Sequence, residues 1–132
     1  MERRFTTIVA ADMVGYSRLV AADEVSAIDR FRLVRQEVIV PAIEDAGGRI
    51  IKTMGDGMLI EFASSHVALA AALDVQWKMR KREGHRPESE QLRFRIGINS
   101  GDAIIDGDDL LGDVVNIAAR LESLAPPGGI CL

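Results

Sequence analysis

The run Ile50-Ile51-Lys52-Thr53-Met54-Gly55-Asp56-Gly57-Met58-Leu59-Ile60 commits the middle of this chain to a tight β-hairpin, because two apolar stretches flank a Gly-Asp-Gly turn. Glycine on both sides supplies backbone freedom and leaves the Asp56 carboxylate uncrowded at the tip. An acid presented in this way is placed to hold a hard divalent cation. Lys52, on the incoming strand, has the reach and charge for a polar ligand. Turn chemistry alone also accounts for Asp-Gly, so a hairpin with a solvated acid stands beside the cation reading.

A second acid closes another strand. In Phe5-Thr6-Thr7-Ile8-Val9-Ala10-Ala11-Asp12-Met13-Val14-Gly15-Tyr16-Ser17 the two alternating sets of residues are both apolar or small, as in a strand covered on both faces and central in its sheet. Asp12 stands where this strand gives way to a loop, a common position for carboxylates in metal-phosphate sites. It could equally cap a short helix starting near Tyr16.

The remaining elements follow from periodicity and punctuation. A long helix begins at Asp23-Glu24, with Val25, Ile28, Phe31, Val34 and Val38 as its apolar stripe; Pro41 bends or divides it, and Gly47-Gly48 ends it. Ser64 or Ser65 caps a second helix, whose expected buried face is Val67, Ala70, Leu73 and Trp77. The alternation Phe94–Gly101 predicts a half-buried strand, with Ala103-Ile104-Ile105 opening its partner and a turn at residues 106–109. A third helix spans Asp113 to Leu124, stopped by Pro126-Pro127, and Gly129–Leu132 begins a strand. The order β-α-β-β-α-β, followed by α-β, predicts an α+β ferredoxin-like sandwich of one domain, residues 1–132, with a mostly antiparallel sheet.

Composition narrows the function. With 16 basic and 20 acidic residues, a net charge of −4 and 5% aromatics, the chain lacks the footprint of a nucleic-acid binder. Arg80-Lys81-Arg82 is soon followed by Glu83, Glu88 and Glu90 and reads as a solvated helix end. The single cysteine, Cys131, suits a reducing compartment, and His66 and His85 stand too far apart to suggest zinc. No apolar run is long enough to span a membrane and no secretion signal opens the chain, so a cytoplasmic domain is expected.

The third helix carries the last constellation, Asp109-Leu110-Leu111-Gly112-Asp113-Val114-Val115-Asn116-Ile117-Ala118-Ala119-Arg120-Leu121-Glu122. Asn116 and Arg120 share one helix face, and an amide one turn from a guanidinium can meet a sugar and a polyphosphate together. A solvated polar face, with Arg120 paired to Glu122 or another acid, is the plainer alternative.

Three blocks, residues 11–17, 51–57 and 112–120, agree in order and spacing with the catalytic domain of the class III nucleotidyl cyclases, the adenylate and guanylate cyclases, which the chain resembles from Phe5 to its end. That resemblance implies two divalent cations (Mg2+ or Mn2+) on Asp12 and Asp56, helped by the Met13 backbone carbonyl. It assigns Lys52 and Asp109 to the purine, Asn116 to the ribose and Arg120 to the transition-state phosphates. It implies a homodimer with shared sites, in which one subunit gives the metal acids and the other gives the remaining groups. It further implies more helix and strand beyond Leu132, including a phosphate-contacting lysine, and regulatory modules C-terminal to the domain. Asp102 stands where some relatives carry an arginine, and the segment between Ile105 and Gly112 is shorter than usual.

Base choice follows from donors and acceptors. Lys52 only donates and ionised Asp109 only accepts, which matches adenine and mismatches guanine. The expected substrate is therefore ATP, converted to 3′,5′-cyclic AMP and pyrophosphate. A guanylate cyclase on the same scaffold and a non-enzymatic dimerisation or nucleotide-binding module are the rival readings. A two-metal polymerase palm is more distant, since the acidic surface offers no path for a template.

Overall fold

In the computed structural model, which describes residues 1–132, the doubly apolar run becomes β1 (Arg3–Val14) at the centre of the sheet. β3 (Gly57–Phe62) and β4 (Arg93–Asp106) flank it, both antiparallel. β2 (Arg49–Met54) and β5 (Asp109–Leu111) form the two margins, giving the order β2-β3-β1-β4-β5. A short β6 (Ile130–Cys131) runs parallel to β4, pairing Ile130 with Ile96. The first four strands, with the helices between them, make the expected ferredoxin-like sandwich.

Those helices are α1 (Tyr16–Ala22), α2 (Glu24–Val34), α3 (Val40–Asp45) and α4 (Ser65–Glu83). The Asp23 side chain caps α2 by accepting from the Ser26 amide, and Ser64 caps α4 by accepting from the Val67 amide. Between α2 and α3, residues 35–39 widen into a π-helical stretch just ahead of Pro41, so the helix continues past the proline instead of stopping. The Gly48 amide then closes α3 on the Ile43 carbonyl at 2.8 Å.

Val34, Val38, Ile39, Ile43, Ala68, Ala72, Val75 and Met79 pack on one face of the sheet against Val9, Ala11, Ile60, Phe62, Phe94 and Ile96. The opposite face carries a smaller apolar cluster in which Val114 and Ala118 of α5 (Asp113–Leu124) meet Ile8, Ala10, Leu59, Ala103 and Leu110. A methyl at Gly97 would overlap the Ala118 carbonyl and the Glu122 amide, so this glycine sets how closely α5 can lie on β4. Glu83 is buried where α4 ends; it accepts from Arg30 at 2.6 Å and from the Leu92 amide at 2.9 Å, which satisfies its charge.

The sheet curls until its margins meet. Arg49 of β2 donates to the Asp108 carbonyl at 3.0 Å, and Lys52 of β2 lies 3.2 Å from the Asp109 carboxylate of β5. No helix is long and apolar enough to cross a membrane.

Several expectations need correction. Leu73 and Trp77 are 55% and 56% exposed, while α4 turns Ala68, Ala71, Ala72, Val75 and Met79 inward. Alanines let the helix approach the sheet closely, so the larger apolar residues are left at its flank. Ala70 is exposed and Val67 only partly buried. On α2, Val25 and Ile28 are exposed and Ala27 takes the buried position, while Phe31 rests on Tyr16 with ring centroids 5.2 Å apart. Ala103-Ile104-Ile105 does not open a new strand but continues β4, and the partner is the three-residue β5.

Candidate functional site: an acid pair, a Lys–Asp pair and an outward helix face

The hairpin turn is two residues long, Gly55 and Asp56, between the closing pair Met54 and Gly57. Gly55 has φ of +61° while Asp56 does not enter the left-handed region, the pattern of a type II′ turn. Asp12 lies directly opposite Gly57 in the β1–β3 register. A side chain at Gly57 would crowd the Ala11 and Met54 carbonyls and touch the Asp12 carboxylate, so the glycine lets the turn lie close against β1 beside Asp12. Asp12 does not cap α1: the cap position belongs to Gly15, and the Asp12 carboxylate accepts instead from the Met13 amide at 3.0 Å. β1 runs two residues beyond Asp12, so the acid is held by the end of a strand and not by a loop.

Electrostatics mark this pair. Burial, then a hydrogen bond with Asp12 and the charge of Asp12, push the Asp56 carboxyl up to about 6. No lysine or arginine forms an ion pair with either acid. No group of three or more His, Cys, Asp or Glu is arranged to enclose a metal. Two neighbouring carboxylates with no cationic side chain between them fit a magnesium-type site, which takes one or two acids and fills its remaining positions with backbone oxygen, water and substrate phosphate.

Glu122, on α5, belongs to the same neighbourhood and was not singled out from the sequence. Its carboxyl is raised by burial first and then by the charge of Asp12, with Asp56 adding to it and Arg95 opposing. The signal that could have found it is Gly97, which brings the backbone of Glu122 down onto β4.

Lys52 and Asp109 come together, as already described, at the meeting of the two sheet margins. One Asp109 oxygen also accepts from the Leu110 amide at 2.8 Å, which orients the carboxylate. Asn116 and Arg120 do not join either pair. Val114 and Ala118 define the sheet-facing side of α5, and positions two residues further along point the other way. Both side chains are accordingly exposed; the Arg120 guanidinium reaches only Asp113, at 3.9 Å, and both members of that pair are in solvent.

The comparisons with known proteins show the family and the fold. Residues 3–132 match the family model described as the adenylate and guanylate cyclase catalytic domain. The chain is 41% identical over 132 residues to putative adenylate cyclase 3 of Rhizobium meliloti (strain 1021), covering all of this chain and 22% of that protein. It thus spans about a fifth of that relative's length. The crystal structure of an adenylate/guanylate cyclase/hydrolase from Silicibacter pomeroyi superposes with a TM-score of 0.91 at 50% identity, over 98% of this chain and 75% of that one. The adenylyl cyclase CyaB of P. aeruginosa shares the fold, with a TM-score of 0.81 at 22% identity over 98% of this chain and 78% of that one.

Proposed function

This chain belongs to the adenylate and guanylate cyclase catalytic-domain family, and from that premise we propose that it converts ATP to 3′,5′-cyclic AMP and pyrophosphate at sites shared between two copies. The observation that carries the ATP reading is the approach of Lys52 to Asp109 at 3.2 Å, a donor-only and an acceptor-only group side by side. Adenine offers the complementary acceptor and donor on one edge; guanine would set donor against donor and acceptor against acceptor.

Asp12 and Asp56, with the Met13 carbonyl, are the groups that would hold two divalent cations, magnesium or manganese. Bound there, such ions neutralise phosphate charge and acidify the ribose 3′-hydroxyl that attacks the α-phosphorus. Asn116 orients the ribose so that the attacking oxygen is in line with the departing pyrophosphate. Arg120 stabilises charge growing on the α-phosphate oxygens, and no covalent nucleophile is required. The outward face of α5 supports a second copy as the source of Asn116 and Arg120, because the same helix turns its other side to the sheet that bears Asp12. Relatives named as adenylate cyclases add weight to the choice of ATP.

The test is turnover of ATP and of GTP with manganese in the full-length protein. Asp56→Ala and Arg120→Ala should each be nearly inactive, and mixing them should restore part of the activity, since one of two shared sites keeps every group. A clear preference for GTP overturns the substrate, and no recovery on mixing overturns the shared site.

A further inference from the structure

Asp109, the carboxylate assigned to the purine, sits on a weakly supported element. β5 has three residues, pairs with β4 alone, and follows a turn in which Gly107 takes φ of +60°. Leu110 is fixed in the apolar cluster beneath α5, but the first residue of the strand, next to the turn, is held less firmly, and its carboxylate can shift with that turn.

What restrains it comes from the other side of the sheet. Arg49, on the opposite margin, reaches across the curl and donates through Nη1 to the Asp108 carbonyl at 3.0 Å. Its Nη2 donates to Glu61 Oε1 at 3.1 Å. Glu61 is itself pinned, receiving Arg4 Nη2 at 2.9 Å and the Thr6 hydroxyl at 2.7 Å. Burial works to raise the Glu61 carboxyl, but hydrogen bonds from Thr6, Arg4 and Arg49 outweigh it and hold the group below its ordinary range. The guanidinium of Arg49 is thus anchored at one end to an ionised acid on β3, next to central β1, and at the other end to the residue preceding Asp109. Its planar fork makes both contacts at once, which a lysine cannot do with the same geometry.

We propose that Arg49 is a positioning residue for purine selection: by holding the Asp108 carbonyl it fixes where the Asp109 carboxylate stands relative to Lys52. This rests on the reading of Lys52 and Asp109 given above. A rigid donor–acceptor pair rejects guanine because neither group can turn away from its mismatch; a loosened one can, and discrimination then falls.

The experiment compares kcat/KM for ATP and GTP in full-length wild type, Arg49→Ala, Arg49→Lys, Asp109→Ala and the double variant Arg49→Ala/Asp109→Ala, with melting temperatures alongside. Arg49→Ala should lower the ATP:GTP ratio on the order of 10-fold, with the loss falling on KM for ATP more than on kcat. Arg49→Lys should recover part of the ratio, and it also serves if the alanine variant does not fold. In the Asp109→Ala background, removal of Arg49 should leave the ratio where it is, since the two act through one group. If Asp109→Ala collapses the ratio while both Arg49 variants keep it, the positioning role is wrong and the purine pair stands. If Asp109→Ala itself leaves the ratio unchanged, the purine pair falls and the role of Arg49 falls with it.

Discussion

The two faces of the sheet are built to different standards. Beneath α2, α3 and α4 lies a continuous apolar cluster of twenty buried residues; beneath α5 the cluster has seven and gives way at both ends to charge. At one end stand Asp12, Asp56 and Glu122, at the other the Arg4–Glu61–Arg49 chain. Burial of apolar area is the main source of folding free energy, so the first face supports the domain. The second face keeps carboxylates close together, at a cost in stability. One strand serves both, because successive residues of β1 point to opposite sides.

Asp56→Asn should separate the faces most sharply. On the proposal that Asp56 holds a cation, its loss removes several kcal/mol of transition-state stabilisation, on the order of 10^3-fold or more in rate. In EDTA at pH 7 the same variant should melt higher than wild type. The sign follows from the Asp56 carboxyl, which rises from 3.8 to about 6 on folding, so the native state binds the proton more tightly. Its charge therefore opposes folding above about pH 6, and the benefit of asparagine should fade as pH falls through that value and vanish below 4. Melting curves at pH 7 and pH 4 check this.

Phe94, fully buried on the first face, is the counterpart. Phe94→Ala should destabilise by about 3–5 kcal/mol in chemical denaturation. Gly97→Ala probes the boundary between the two: its methyl would displace α5, costing about 1–3 kcal/mol and lowering turnover as well, because α5 carries Asn116 and Arg120, the groups proposed to act on the ribose and phosphates. Trp77→Ser should change stability by about 0.5 kcal/mol or less, since the indole is over half exposed. A large loss there would mean that α4 presents a different side to the sheet.

The central place of β1, the Gly-Asp-Gly hairpin and α5 were readable from the sequence because each has a local signature: alternation, turn glycines, or apolar residues one turn apart. Asp12, Asp56 and Lys52 were readable as candidates by the same route, Asp109 only through the family resemblance, and the structure brings the four together as two pairs. The inward side of α4 was misread because hydrophobicity favours Leu73 and Trp77, whereas close packing favours Ala68, Ala71 and Ala72. Arg49 was not readable at all, and Glu122 was readable only as a possible partner of Arg120. The first depends on how far a sheet of six strands curls, and the place of the second beside Asp12 on how closely a helix settles over Gly97; neither is set by neighbouring residues alone.

The curl has one further result. An open sheet offers unpaired amides and carbonyls along its rims, where a foreign strand can add and chains can stack without limit. Here each rim lies in the other's approach, and the β2 rim bears the cationic side chains of Arg49 and Lys52. Copies of this domain are therefore discouraged from growing into a fibre rim to rim, while the solvent side of α5 remains free for a closed, countable association.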